Sequence, residues 1–136
     1  MEADHRLAEE GRILRVVAQV VEDRLAQRLL ESALARLQRV LSHIIHDWRE
    51  DLCLTILGHC RRAMNPGGRV LITEMVLPPA DTPHPGKMLD VMMLVGPGGQ
   101  ERTAQEYDAL LGKAGFRLNR IVPTASAVSV VEAFVA

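Results

Sequence analysis

The stretch Asn65-Pro66-Gly67-Gly68 constrains this chain more than any other. Proline has no amide proton to give a helix, and successive glycines favour turns. Whatever precedes the stretch must end there. Before it, Cys53, Ile56, Leu57, Cys60 and Met64 recur at helical spacing. After it, residues 69–77, RVLITEMVL, are rich in Val, Leu and Ile and read as a strand. A helix stopped hard and followed by an aliphatic strand is a step of an α/β chain.

Asp47 and Glu50 have the D-x-x-E form of a capping box and open that helix. Residues 37–45, LQRVLSHII, suit either a buried strand or a continued helix. Residues 78–86, PPADTPHPG, can only be loop. A short Met-rich helix is expected over 87–95, then a loop at Gly96-Pro97-Gly98-Gly99. Thr103 with Glu106 forms a second capping box, and Gly115 takes the position just past that helix's end. Residues 116–123 and 127–135 read as closing strands. Alternation early and a hairpin late predict an α/β sheet of parallel strands with one antiparallel edge strand.

The chain changes character near residue 47. Before it there is no proline, no aromatic residue and a single glycine, Gly11. Residues 6–36 carry an amphipathic helical stripe including Leu7, Leu14, Val17, Val21, Leu25 and Leu29. A helix of that span would be about 45 Å long. One small domain cannot cover such a stripe, so residues 1–36 are expected to serve oligomerisation.

A chain of 136 residues suggests one domain with a real core. Net charge is −1, and no Lys/Arg cluster is interleaved with aromatics, which argues against nucleic acid as a partner. Charged residues break every apolar run, so no membrane span is expected. The mixed-charge N-terminus lacks a signal-peptide core, and a cytoplasmic location is expected. Cys53 and Cys60, seven residues apart on one helix, would lie about 10.5 Å apart along its axis, beyond disulfide reach. They read as core thiols. There is no C-x-x-C and no histidine spacing that suggests zinc.

His46 stands where an apolar run meets a helix. In an open α/β sheet, ligands bind outside the carboxyl ends of the strands. Glu74 lies near the end of the following strand, and Glu101 lies in the glycine-rich loop before the second capping box. A carboxylate on one imidazole nitrogen fixes the tautomer and frees the other nitrogen to take a proton. Each residue also has a plain structural use: His46 as a strand-end histidine, Asp47 as a cap, Trp48 and Met88, Met92 and Met93 as packing. Spacing alone does not make these residues an enzyme.

Three segments together carry more. HIIHDWREDLCLTILGHCRRAMNPGGRVLITEMVLPP, HPGKMLDVMMLV and GGQERTAQEYDALLGKAGFRLNRIVPT resemble, in order and spacing, the C-terminal part of S-adenosylmethionine-dependent O-methyltransferases of the plant phenylpropanoid and bacterial polyketide type. The resemblance covers roughly residues 40–135. It implies the C-terminal portion of a Rossmann-like methyltransferase sheet over residues 37–136. It implies His46 as the general base that deprotonates an acceptor hydroxyl, with Glu74 and Glu101 flanking it. It places Ser42, Asp47 and Trp48 near the S-adenosyl-L-methionine cofactor. Met93 and its helix neighbours, Leu89 among them, would line the pocket of a small-molecule acceptor, expected to be a phenol. The family's glycine-rich cofactor loop has no counterpart in residues 1–36, which contain no G-x-G. The chain is therefore expected to be a truncated form, completed by a homo-oligomer or by a partner supplying the missing half. The alternative is an inactive binding or dimerisation module.

Overall fold

The computed structural model describes residues 39–136. The helix and oligomerisation segment expected over residues 1–36 lie outside the described residues, as does the boundary drawn at residue 36. In order, the elements are β1 (Arg39–Ser42), a 3-10 turn (Ile45–Asp47), α1 (Glu50–Arg62), β2 (Arg69–Glu74) and β3 (Val76–Leu77). There follow α2 (Pro85–Val95), β4 (Arg102–Thr103), α3 (Ala104–Lys113), β5 (Phe116–Pro123) and β6 (Ser129–Val135).

The main sheet has the order β1-β2-β6-β5. β1 runs parallel to β2, and β6 runs antiparallel to both β2 and β5. The α/β class with one antiparallel strand is as expected, but that strand lies inside the sheet rather than at its edge. The side chains explain the order. β6 buries four successive residues, Val130 to Ala133, whereas β5 exposes Arg117, Asn119 and Arg120. A strand bearing charges is the one suited to an unpaired edge.

The run over 69–77 is not one strand. β2 stays in register with β6 from Arg69 to Glu74, where β6 begins at Ser129. Past that point β2 has no partner on this side, and Val76–Leu77 pair instead, in parallel, with Arg102–Thr103. This break turns the chain at the end of β2 and brings the segment preceding α3 towards the sheet's carboxyl edge.

α1 and α3 lay one apolar face on the sheet. Cys53 and Leu57 of α1 and Tyr107, Leu110 and Leu111 of α3 pack in one cluster with Val70, Ile72, Val131 and Ala133. Cys53 and Cys60 are free thiols whose pKa values burial pushes up, fitting inert core positions. α3 starts with the complete Thr103–Glu106 capping box, and Gly115, at φ +82°, follows its end. α1 differs from expectation. Its N-cap is Arg49, without a side-chain capping bond. Asp47 belongs to the preceding 3-10 turn, and its carboxylate is 3.2 Å from His46 Nε2. No helix among the described residues is long and apolar enough to cross a membrane.

Candidate functional site

The carboxyl ends of β1 and β2 lie side by side, with Ser42 opposite Thr73 in the register. The chain leaving β1 turns at His43, at φ +51°, and enters the 3-10 turn that carries His46. Glu74, the last residue of β2, is fully buried. Its Oε1 accepts the backbone N–H of His46 at 3.3 Å, and its Oε2 is 3.4 Å from His46 Nδ1. Glu101, which is 2% exposed, places Oε1 at 2.6 Å from the same Nδ1. Two buried carboxylates thus converge on one face of a buried imidazole, and Asp47 stands at the opposite nitrogen.

This arrangement fixes the protonation pattern. The short bond to Glu101 raises the pKa of His46, burial opposes it, and the charges of Glu74, Glu101 and Asp47 add to the rise. Burial pushes the Glu74 carboxyl up to about 7, while the nearby imidazole and the backbone hydrogen bond from His46 resist. With Nδ1 donating to Glu101, Nε2 is the nitrogen free to exchange a proton. Glu74 Oε2 and Glu101 Oε2 are both buried and have no hydrogen-bond partner among the described residues.

Three supports of this site were not apparent in the sequence. Arg102, 2% exposed, donates Nη1 to the Ile45 carbonyl at 3.1 Å and Nη2 to the Trp48 carbonyl at 3.3 Å, clamping both ends of the histidine turn. Asp90 of α2 accepts the Glu101 N–H through Oδ1 at 2.7 Å. Gln100 N–H donates to the His46 carbonyl at 2.9 Å. Gly99 makes this last approach feasible. A Cβ there would run into the His46 carbonyl oxygen and lie 2.5 Å from the Asp47 carbonyl carbon. Both are backbone atoms that cannot rotate away. Gly99→Ala is expected to cost about 1–3 kcal/mol, towards the upper end, read as a lower urea midpoint. An unchanged midpoint would mean that the two backbones do not meet in this way. The glycine pair before Gln100-Glu101-Arg102 is the sequence signal of this close approach, beyond the loop it predicts.

The remaining expected site residues lie around this centre. Ser42 ends β1 and is half-buried. The Trp48 side chain is left 42% exposed next to the turn. Along α2, Leu89 and Met93 are half-buried, whereas Met88, Val91, Met92, Leu94 and Val95 are exposed. Arg49, Leu77, Asp90, Leu94, Gln100 and Glu101 contribute to one open pocket of about 460 Å³ beside the histidine turn.

Comparison with known proteins agrees in sequence and in fold. The family model of the O-methyltransferase domain matches residues 11–117. The chain is 50% identical over 94 residues to the phenazine O-methyltransferase PhzM of Lysobacter antibioticus, covering 69% of this chain and 28% of that protein. The crystal structure of LaPhzM superposes with a TM-score of 0.69 at 48% identity, over 71% of this chain and 29% of that one. CalO1, a methyltransferase of calicheamicin biosynthesis solved with S-adenosylhomocysteine bound, gives a TM-score of 0.67 at 42% identity, over 71% of this chain and 29% of that one. The chain therefore spans less than a third of the length of these relatives.

Proposed function

The chain belongs to the O-methyltransferase domain family, and we propose that it carries the acceptor side of methyl transfer from S-adenosylmethionine to a hydroxyl of a small aromatic molecule. His46 is the proton acceptor in this reading. The observation that carries it is the 2.6 Å bond from His46 Nδ1 to Glu101 Oε1, which holds the imidazole with Nε2 facing away from both buried carboxylates.

Each group has a role that follows from its chemistry. A phenol with pKa near 10 is mostly protonated at pH 7 and is a poor nucleophile in that form. A base within reach of its proton is worth about 10²–10⁴-fold in rate. Glu101 fixes the tautomer and stabilises the imidazolium formed when Nε2 takes the proton. Glu74 holds the turn through the His46 N–H and adds negative charge to the same side. Asp47, 3.2 Å from Nε2, stabilises that imidazolium from the solvent side. S-adenosylmethionine supplies an activated methyl group on a sulfonium, so the remaining task is alignment, worth about 7–11 kcal/mol when geometry is good. Ser42, Asp47 and the exposed indole of Trp48 would contact the donor, and Leu89 and Met93 the acceptor. The relatives' cofactor and phenazine substrate support these assignments by likeness.

A second reading is that the chain binds or dimerises without turnover. It is favoured by one sequence observation: residues 1–36 contain one glycine and no G-x-G with which to cradle the donor. Turnover of labelled S-adenosylmethionine separates the two, and calorimetric titration of the 136-residue chain with S-adenosylhomocysteine, with mass by light scattering on the same sample, tests whether this chain alone seats the donor. The chain by itself is expected to bind only weakly and to be oligomeric. Micromolar binding by a monomer would contradict both expectations and show that the chain seats the donor without a partner.

A further inference from the structure

His43 is not used by the chemistry above, yet it sits against it. Its ring centroid is 5.5 Å from that of His46, and its Nδ1 is 4.0 Å from Glu74 Oε2. One ligand atom from each of His43, His46 and Glu74 falls within 4.8 Å of the other two. Ligands about 2.0–2.2 Å from a tetrahedral zinc ion lie roughly 3.3–3.5 Å from one another. The 3.4 Å between His46 Nδ1 and Glu74 Oε2 already has this spacing. His43, whose side chain is 39% exposed, stands slightly wider, with Nδ1 4.0 Å from the same oxygen.

A second observation points to a ligand independently of the spacing. Glu74 is fully buried, yet its Oε2, the oxygen facing both imidazoles, has no hydrogen-bond partner among the described residues. A buried carboxylate oxygen without a partner is costly. Glu101, whose Oε1 meets the same Nδ1 of His46, brings a second such oxygen, Oε2. We propose that His43, His46 and Glu74 form a binding site for a divalent transition-metal ion of the zinc class, with Glu101 placed to complete the donor set. Two imidazoles with carboxylates select such ions over magnesium or calcium, which prefer oxygen alone. The exposed edge of His43 provides the entry path. Binding releases the Nδ1 proton of His46 and displaces its bond to Glu101. The consequence that an occupied site no longer accepts a substrate proton rests on the functional reading above, whereas the metal site itself does not.

The test uses the full chain freed of metal by chelator and titrated with zinc ion against a chromogenic indicator, with cobalt(II) as spectroscopic probe. One zinc ion per chain is expected, with tetrahedral cobalt bands and no thiolate-to-cobalt charge transfer. Zinc should shift the ring signals of His43 and His46 together in NMR spectra. His43→Gln should weaken binding by about 10-fold or more, the scale lost even when only a ligand's supporting partner is removed. His84→Gln and Cys60→Ser should leave it unchanged. Absence of stoichiometric binding would overturn the proposal. So would binding that survives His43→Gln, that is lost with Cys60→Ser, or that leaves the His43 and His46 signals unmoved.

Discussion

Replacing His46 with Gln is expected to slow methyl transfer to a hydroxyl acceptor by about 10²–10⁴-fold, with the affinity for the methyl donor little changed. Glutamine occupies similar space and retains hydrogen-bonding groups but cannot take up a proton. The loss should therefore fall on kcat rather than on donor binding. The variant also separates chemistry from folding. Besides the ring's bond to Glu101, the turn is held through backbone atoms, by the His46 N–H bond to Glu74 and by the Gln100 N–H and Arg102 contacts. The turn should survive the exchange. The assay requires an assembly that turns over, with labelled S-adenosylmethionine as donor. Unchanged turnover would remove His46 as the base, and lost donor affinity would assign it to binding instead.

The second large effect concerns the hairpin that flanks β2. Glu132 is 1% exposed and holds three donors. Its Oε1 accepts from Arg69 Nη1 at 2.5 Å, and its Oε2 from Arg120 Nε at 2.6 Å and Asn119 Nδ2 at 2.9 Å. The register shift between Leu118 and Arg120 lets both donors of β5 reach one carboxylate. Glu132→Ala leaves the buried guanidinium of Arg69 without that carboxylate, and breaking such a pair costs about 3–5 kcal/mol. The melting temperature should fall by about 10 °C or more. Burial pushes the Glu132 carboxyl up, but hydrogen bonds from Asn119, Arg120 and Arg69 outweigh it and hold its pKa below the usual range. A depressed folded pKa contributes stability above the unfolded value, about 4.3, and that contribution is lost as pH falls through the folded value. Urea midpoints measured from pH 6 down to pH 3 should therefore decline less steeply in Glu132→Gln than in the parent chain. Equal slopes would mean that Glu132 is not held ionised by this network.

How much of this was legible in the sequence depends on the range of the interaction. Thr103, Glu106 and Gly115 act on their own neighbours through hydrogen bonds and φ angles, and each stands where the sequence put it. The hard stop at residues 65–68 separated α1 from β2 for the same reason. Asp47 matched a capping pattern, but its carboxylate lies against the ring of its chain neighbour His46, which Glu74 and Glu101 hold from across the fold. The split of residues 69–77 and the interior place of β6 depend on which strands run out of partners, which no local pattern records. At the site, His46, Glu74 and Glu101 were recognisable through resemblance. Arg102, Asp90 and Gly99 were not, because each acts on backbone atoms of another element, Arg102 and Gly99 on the distant histidine turn and Asp90 on the segment after α2. Arg102, for example, reaches Ile45 across 57 residues.

The most direct test of the central claim is a long-range proton–nitrogen NMR titration of the His46 ring in the metal-free chain. His46 should titrate above the usual histidine value of about 6.5, because Glu101 favours the imidazolium. Its raised folded pKa contributes stability present below the unfolded value and lost as pH rises through the folded value. Nδ1 should keep its proton throughout, and Nε2 should be the nitrogen that loses one. Glu101→Gln should lower the titration midpoint. A neutral ring protonated on Nε2, or a midpoint at or below 6.5, would contradict the assignment of His46 as a base aimed through Nε2.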